Sequence, residues 1–379
     1  MDKKAINEIR KLVKPDSCID RIRACYVNEE GEVIREIHDS LAAMEKESME
    51  KYCEILRGAM SGKLGRNLFN MEFPLEEEAE GGRQQLLYRL QQSELKNDEL
   101  LTLFFNKTVE NFRCETKYLI LLMHGVYDIP AKGTDNADME DASDYVYSFL
   151  LCCICPVTLM KEGLCYDEEA CTFLDRRTDW AVQKPVSGFL FPAYNDRQPD
   201  LHSLLYYCRK EDERHEEISH DLLGCVLPIP ESDQKELFKS MVEQTLGRNC
   251  DFENVKAIND AVTEIIEQNK DSGEPVMIEK TQMRRLLSEN GADQSVLGDF
   301  DKAYDEAVGE GVPLMAENLV ETSRLEVKSP SLKISVKSDM ADMLKTRVID
   351  GMEYLLIPVV DELEVNGIRI LQTKRDSAE

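Results

Sequence analysis

The spacing of apolar residues changes period several times along the chain, and each change predicts an element. Residues 3–14 form a charged amphipathic stretch that Pro15 stops, and Leu41, Met44, Met49, Cys53, Leu56 and Met60 recur at mostly helical spacing over 39–60. Between them, residues 22–37 read as a short hairpin with Asn28, Glu29, Glu30 and Gly31 at its centre. A Gly-rich stretch over 61–74 leads into an acidic linker or exposed helix start at 76–82. The helical period returns over 84–112, with Leu86, Leu87, Leu90, Leu100, Leu103, Phe104 and Phe112 on the apolar side.

Beyond residue 115 the pattern becomes short runs of aliphatic and aromatic residues at 118–124, 147–157, 188–191, 204–208 and 222–229, punctuated by Pro, Gly, Asn and Asp. Few connections between them are long enough for a crossover helix, so they predict one largely antiparallel sheet. The acidic stretch 135–144 is expected as a solvent loop. Amphipathic helices follow at 231–247, with Ser232 as the expected cap, and at 252–269. Two more are expected at 281–289 and 294–308. The end is β again: 332–336 alternates, 354–357 is apolar, and 363–370 reads as a hairpin turning on Asn366 and Gly367. The fold class expected is α+β. Its parts are a mainly helical N-terminal segment (1–83), an α+β sheet domain (84–230), a helical segment (231–310) and a small C-terminal β unit (311–379).

Composition narrows the function classes. The chain has 379 residues, 42% apolar and 32% charged, which is enough for real cores and too apolar for a disordered tail. No run of about 18 apolar residues predicts a membrane span. The polar, charged start lacks the apolar middle of a secretory signal, so the cytoplasm is the expected compartment. The net charge is -28, unevenly spread. Residues 1–75 hold 13 Lys and Arg against 14 Asp and Glu, leaving a net of -27 for the remainder. Such a body repels a phosphate backbone, which argues against a general nucleic-acid coat but not against local contact through the nearly neutral first segment. The 12 cysteines are expected as reduced thiols. Five cluster: Cys152, Cys153, Cys155, Cys165 and Cys171. They lack the paired spacing of a zinc site and read as core residues.

Three segments carry a family resemblance. Residues 62–74 (GKLGRNLFNMEFP), 124–130 (HGVYDIP) and 188–197 (GFLFPAYNDR) resemble the signature segments of a bacterial family catalogued as domain of unknown function 4317, over essentially the whole chain. That resemblance implies a cytoplasmic bacterial protein and supplies no activity. The second half is also similar to bacterial nucleoid-associated proteins. The similarity lies in the order of an apolar sheet, two helices, a segment with Gly273 and Glu274, two further helices and a closing β unit containing Leu332 and Ile334. It implies an acidic protein associated with chromosomal DNA.

Two segments offer candidate chemistry. Lys63, Arg66 and Asn67 sit with Gly62 and Gly65 in the least acidic part of the chain, where glycines allow close approach and cations attract a phosphate. The P-loop spacing is absent, and a helix end turning over two glycines is the favoured reading of the segment. Asp196, Asp200 and His202 share one loop between two expected strands, a set that could hold a metal or act as acid and base. Asp, Asn and Pro also build turns, and a bracket from Arg197 to Asp196 or to backbone accounts for the loop without catalysis. His215 and His220 are five apart, the wrong offset for helical zinc ligands. His124 reads as a satisfied core or strand-end histidine. No G-x-S-x-G elbow occurs. The helix at 294–308 carries Asp299, Asp301, Asp305 and Glu306 against Lys302, so it is a poor reader of a DNA groove.

The expected function is therefore a non-catalytic, nucleoid-associated-like binding or scaffold protein. It would meet protein partners, with any direct DNA contact through Lys63 and Arg66, and needs no cofactor, resident metal or membrane. The alternative is a metal-assisted hydrolase or nuclease using Asp196, Asp200 and His202.

Overall fold

In the computed structural model, which describes residues 1–38, 45–132, 138–161, 163–175, 178–270, 275–358, 364–365 and 367–369, backbone contacts divide the chain into units 1–230 and 231–379. The first contains, in chain order, α1 (Lys3–Leu12), β1 (Ile19–Val27), β2 (Val33–Ile37), α2 (Lys46–Gly58), β3 (Leu68–Glu72), α3 (Arg83–Gln92), α4 (Asp98–Asn111), β4 (Lys117–Lys132), β5 (Asp138–Leu159), β6 (Leu164–Asp167), β7 (Thr172–Asp175), β8 (Trp180–Val182), β9 (Ser187–Phe191), β10 (Ala193–Asn195), β11 (Gln198–Asp200) and β12 (Ser203–Cys208). The main sheet runs β2-β1-β4-β5-β9-β12-β3, with β8 alongside β5, and every pairing is antiparallel. The fold is α+β, as the apolar pattern predicts.

Both faces of this sheet are buried. On one face Tyr118, Ile120, Leu122, Leu150, Cys152 and Ile154 pack under α3 and α4; on the other Leu119, Leu121, Met123, Leu151, Cys153 and Cys155 pack under α1 and α2. Two-sided burial is why the runs at 118–124 and 147–157 are continuously apolar instead of alternating. Cys152, Cys153 and Cys155 are thus core residues, and burial pushes the Cys155 thiol up to about 12. Cys165 and Cys171 are not: both are exposed, on the β6–β7 hairpin.

Several local expectations are corrected. The single helix over 84–112 is two helices. Glu94 and Leu95 adopt φ of +51° and +55°, which turns the chain and delivers Leu95 into the core, and Asn97 caps α4 by accepting from the Leu100 amide at 3.1 Å. The run 222–229 is not a strand. It follows a π-helical turn, Ile218–Leu222, and packs Leu223 and Cys225 under the sheet. β5 begins at Asp138, so strand replaces most of the expected acidic loop, of which 135–137 lie outside the described residues. Leu41 and Met44 of the expected helix over 39–60 also lie outside them. The segment 1–83 contributes β1, β2 and β3 to the sheet besides its helices.

The second unit holds α5 (Glu231–Leu246), α6 (Phe252–Gln268), α7 (Lys280–Glu289) and α8 (Gln294–Ala307). Among the described residues it also has four antiparallel strand pairs, Met277–Ile278 with Leu314–Met315, Arg324–Ser329 with Leu332–Lys337, Lys345–Ile349 with Met352–Leu356, and Glu364–Val365 with Ile368–Arg369. Ser232 lies inside α5 with its hydroxyl 3.0 Å from Asp233, so it is not the cap. Asp301 and Asp305 of α8 pair with Arg284 and Lys280 of α7 at 2.8 and 2.7 Å, so these acids hold two helices together. Gly273, Glu274 and Asn366 lie outside the described residues. Among the described residues no helix is long and apolar enough to cross a membrane.

Two substitutions test this packing. A Cβ on Gly188 would lie 2.4 Å from the Cys152 carbonyl oxygen in the neighbouring strand, so Gly188→Ala is expected to cost about 2 kcal/mol or more in urea denaturation. Asn97→Ala removes one cap and is expected to cost about 1 kcal/mol.

Candidate functional site

A cationic pocket on the α1–α2 face of the first unit is the strongest candidate by charge. In α2 the buried stripe Met49, Cys53 and Leu56 seats the helix on the sheet, which leaves Lys51, Tyr52 and Ile55 at its margin. Arg10 comes from the last turn of α1. The segment after β8 is tied down on both sides of Lys184 and Pro185, by the Gln183 amide on Pro156 O (2.8 Å) and the Val186 amide on Ile154 O (2.9 Å). Pro185 abuts the end of α2, where a Cβ on Gly58 would meet its ring at 3.0 Å. With Tyr207 from β12 these groups surround a hollow of about 960 Å³, a volume suited to a small organic ligand.

The charge of the lining runs against that of the chain. Arg10, Lys51, Arg57 and Lys184 line the hollow against one acid, Glu54, in a protein where acids outnumber cations 74 to 46. Arg57 is committed elsewhere, to Val13 O at 2.8 Å and to Glu50 at 2.6 Å. Arg10, Lys51 and Lys184 make no hydrogen bond or ion pair with any described side chain. Three cations without counter-charges at one rim leave a positive potential that an anion can satisfy. Burial pushes the Tyr207 phenol up, against an opposing hydrogen bond with Ser61, so the ring stays neutral. A second hollow, of about 760 Å³ in the 231–379 unit, mixes Lys235, Lys239 and Arg324 with Glu243, Glu321 and Glu326 and has no comparable excess of either sign.

The Gly-rich loop borders this pocket only through Ser61, and its own geometry is that of a turn. The amides of Arg66, Asn67 and Leu68 all donate to Lys63 O and that of Gly65 to Leu68 O, so none of the four is free to cradle an anion. Asn67, expected as an anion donor, instead hydrogen-bonds Cys208 O and Arg209 O at 3.3 and 3.1 Å, which fastens the loop to β12. Gly62 is required by this contact, because a Cβ there would lie 2.5 Å from that of Asn67. Arg66 faces Glu211 at 3.8 Å. Lys63 is exposed.

The other candidate loop does not assemble a centre. Asp196 and Arg197, at φ +48° and +59°, are the two turn residues between β10 and β11, the backbone of a type I′ hairpin. Asp196 is exposed, and Arg197 brackets the loop by donating to Pro130 O at 2.8 Å. Asp200 faces inward and accepts from Ser203 (2.6 Å), Asn195 (2.7 Å) and the His202 amide (3.0 Å). Partial burial works to raise its carboxyl, but these three donors outweigh it and hold it below the usual Asp range. His202 turns outward to Glu78 at 2.6 Å, which raises its imidazole. The three side chains therefore do not converge: Asp196 is exposed, Asp200 is held within its own hairpin and His202 faces Glu78. Among the described residues no three His, Cys, Asp or Glu side chains come together as metal ligands.

Sequence reasoning missed Arg10, Lys51 and Lys184. Arg10 and Lys51 read as ordinary solvent positions of amphipathic helices, and Lys184 sits in an irregular connection with no motif. Their only shared signal is position in or against the least acidic part of the chain.

Over residues 1–368 the chain matches the family described as Domain of unknown function (DUF4317). No curated protein and no solved structure matches it.

Asp200 gives a pH-dependent test. Its folded carboxyl lies below the unfolded value near 3.8, so its stabilisation is present above that value and is lost as pH falls through the folded one. Asp200→Ala is expected to lower urea stability at neutral pH, and the gap from wild type should close in acid.

Proposed function

We propose that this chain, which belongs to the family of Domain of unknown function (DUF4317), is a binding protein whose cationic pocket takes a phosphate-bearing organic ligand. The observation that carries the reading is the set of three cations with no ion-pair partner among the described residues, Arg10, Lys51 and Lys184, around one hollow beside Tyr52 and Tyr207. Each phosphate oxygen brought to that rim gains Coulomb attraction that no internal carboxylate already satisfies. The nucleoid-associated form of the reading narrows to the same place, since an acidic remainder of net -27 repels DNA and leaves this rim, with Lys63 close in sequence, as the point where a DNA phosphate would be met. A protein partner has an apolar surface available in the β6–β7 hairpin, where Leu164, Tyr166 and Phe173 are exposed. The metal-hydrolase alternative draws no support from Asp196, Asp200 and His202, since Asp196 is exposed, Asp200 accepts from Asn195 and Ser203, and His202 faces Glu78.

Titration of the full chain with ATP, with inorganic pyrophosphate and with a short DNA duplex tests the reading. ATP or pyrophosphate is expected to bind at low salt, more weakly at physiological salt. The Lys51→Glu/Lys184→Glu variant should lose affinity at least about tenfold, roughly 1.4 kcal/mol. Duplex binding that is lost in the same variant would identify DNA as the source of the phosphate. Absence of binding by all three probes at low salt, or binding indifferent to the two substitutions, would overturn the proposal.

A further inference from the structure

On the opposite face of the sheet, under α3, stands a polar group that the pocket does not involve. His124 ends the apolar run of β4 and is 1% exposed. Its Nε2 lies 2.9 Å from Ser148 Oγ on β5, and its Nδ1 lies 3.1 Å from Asp20 Oδ2 on β1. The carboxylate reaches it because the β1–β4 ladder slips there: Ile19 faces Gly125 and Arg21 faces His124, so Asp20 is an extra residue. Without that bulge Asp20 would share the face of Ile22 and Ala24, which pack under α1 and α2. A β-bulge that re-aims one side chain is a device common beside active sites.

The proton positions follow from the partners. A carboxylate only accepts, so Nδ1 carries the hydrogen and Nε2 of a neutral ring is a lone-pair acceptor. Burial is the largest influence on the imidazole and lowers it, against Asp20 and Glu94, which raise it, and with Arg21, which lowers it further. The ring is therefore neutral near pH 7, and the Ser148 hydroxyl donates to it. That is the resting arrangement of a serine nucleophile, its base and the base's orienting acid.

Three further observations separate this group from a merely satisfied core histidine. Ser148 is only half-buried and the Asp20 side chain is 39% exposed while His124 is closed off, so the relay reaches towards solvent at both ends. The side chain of Arg21, the cross-strand neighbour of His124, makes no hydrogen bond or ion pair with any described residue, and its Nε is buried without a partner. The α3–α4 turn beside them holds Glu94 and Leu95 in the left-handed region, a strained backbone of the kind that gathers at functional sites. Gln91 from α3 fixes Ser148 by donating to its carbonyl at 2.9 Å.

We propose that Ser148 and His124, oriented by Asp20, form a nucleophilic centre that hydrolyses carboxylic esters, an activity separate from ligand binding at the cationic pocket. Ser148 Oγ adds to the ester carbonyl carbon as His124 Nε2 takes the hydroxyl proton, and the carbonyl π pair moves to oxygen. Arg21 supplies the positive charge on that face for the oxyanion. Collapse of the tetrahedral adduct breaks the bond to the alcohol oxygen, which departs with the proton from His124. Water then attacks the acyl-serine, His124 takes its proton and returns it to Ser148 Oγ, and the carboxylic acid is released. One ester and one water thus become one acid and one alcohol. Ser148 and His124 are the catalytic residues; Asp20 is a positioning residue.

Treatment of the full chain with a fluorophosphonate at mildly alkaline pH, followed by intact-mass and peptide analysis, tests the centre, with p-nitrophenyl acetate as the turnover substrate. One phosphonyl group on Ser148 is expected, absent in Ser148→Ala. Labelling should be slower by about a hundredfold or more in Asp20→Asn. Asp20 raises the imidazole, and the other charges acting on it are Glu94 and Arg21, so the residual pH profile of Asp20→Asn should move to lower pH. Thermal unfolding confirms that both near-isosteric variants stay folded. No adduct on the wild-type chain, an adduct that persists in Ser148→Ala, or a rate and profile unchanged in folded Asp20→Asn would each overturn the proposal.

Discussion

The two-sided burial of β4 and β5 is the constraint on which the first unit depends. These strands lie in the middle of the sheet, and helices cover both of its faces, so successive residues such as Leu121, Leu122 and Met123 are all removed from water. Each such side chain contributes about 1.5–3 kcal/mol when fully buried. The same burial makes every polar atom on these strands expensive unless it is paired. His124 is tolerated there because Ser148 and Asp20 occupy both ring nitrogens, and the Tyr147 hydroxyl because it donates to Pro192 O at 2.6 Å.

That constraint also sets where charge can sit. With the sheet closed to ions, charged side chains collect at helix margins and in connections, and several cations there meet an acid. Arg57 meets Glu50, Lys280 meets Asp305 and Lys256 meets Asp260 and Asp342. Against this background Arg10, Lys51 and Lys184 stand out because α1, α2 and the segment after β8 converge with one carboxylate among their lining residues. A chain with a large acidic excess thus carries a local positive field, produced by packing and not by composition.

Much of the architecture was legible in the residues. The runs at 118–124, 147–157, 188–191 and 204–208 became β4, β5, β9 and β12, because short aliphatic and aromatic runs between turn formers have few other ways to bury themselves. What failed were the places where tertiary packing overrode period. The α3–α4 break turns on Glu94 and Leu95, neither a residue that marks a turn, and it exists because Leu95 gains a place in the core. The run after Leu222 is as apolar as a strand but fills space under the sheet from an irregular segment.

The candidate chemistry divides along the same line. By itself the sequence determined the α+β class, the antiparallel sheet and the family, since these follow from local period, turn residues and recognisable segments. It also flagged the Gly-rich loop and the Asp196–His202 segment, where reactive residue types are adjacent in the chain. Only the tertiary structure decided what those residues do: Asn67 and Asp200 are spent on backbone and turn contacts. It also decided which distant residues meet. Asp20, His124 and Ser148 are separated by 104 and 24 positions, and a one-residue slip in strand register brings the first of them to the other two. Register and helix placement are set by burial summed over the whole sheet, a quantity that no local window of sequence contains.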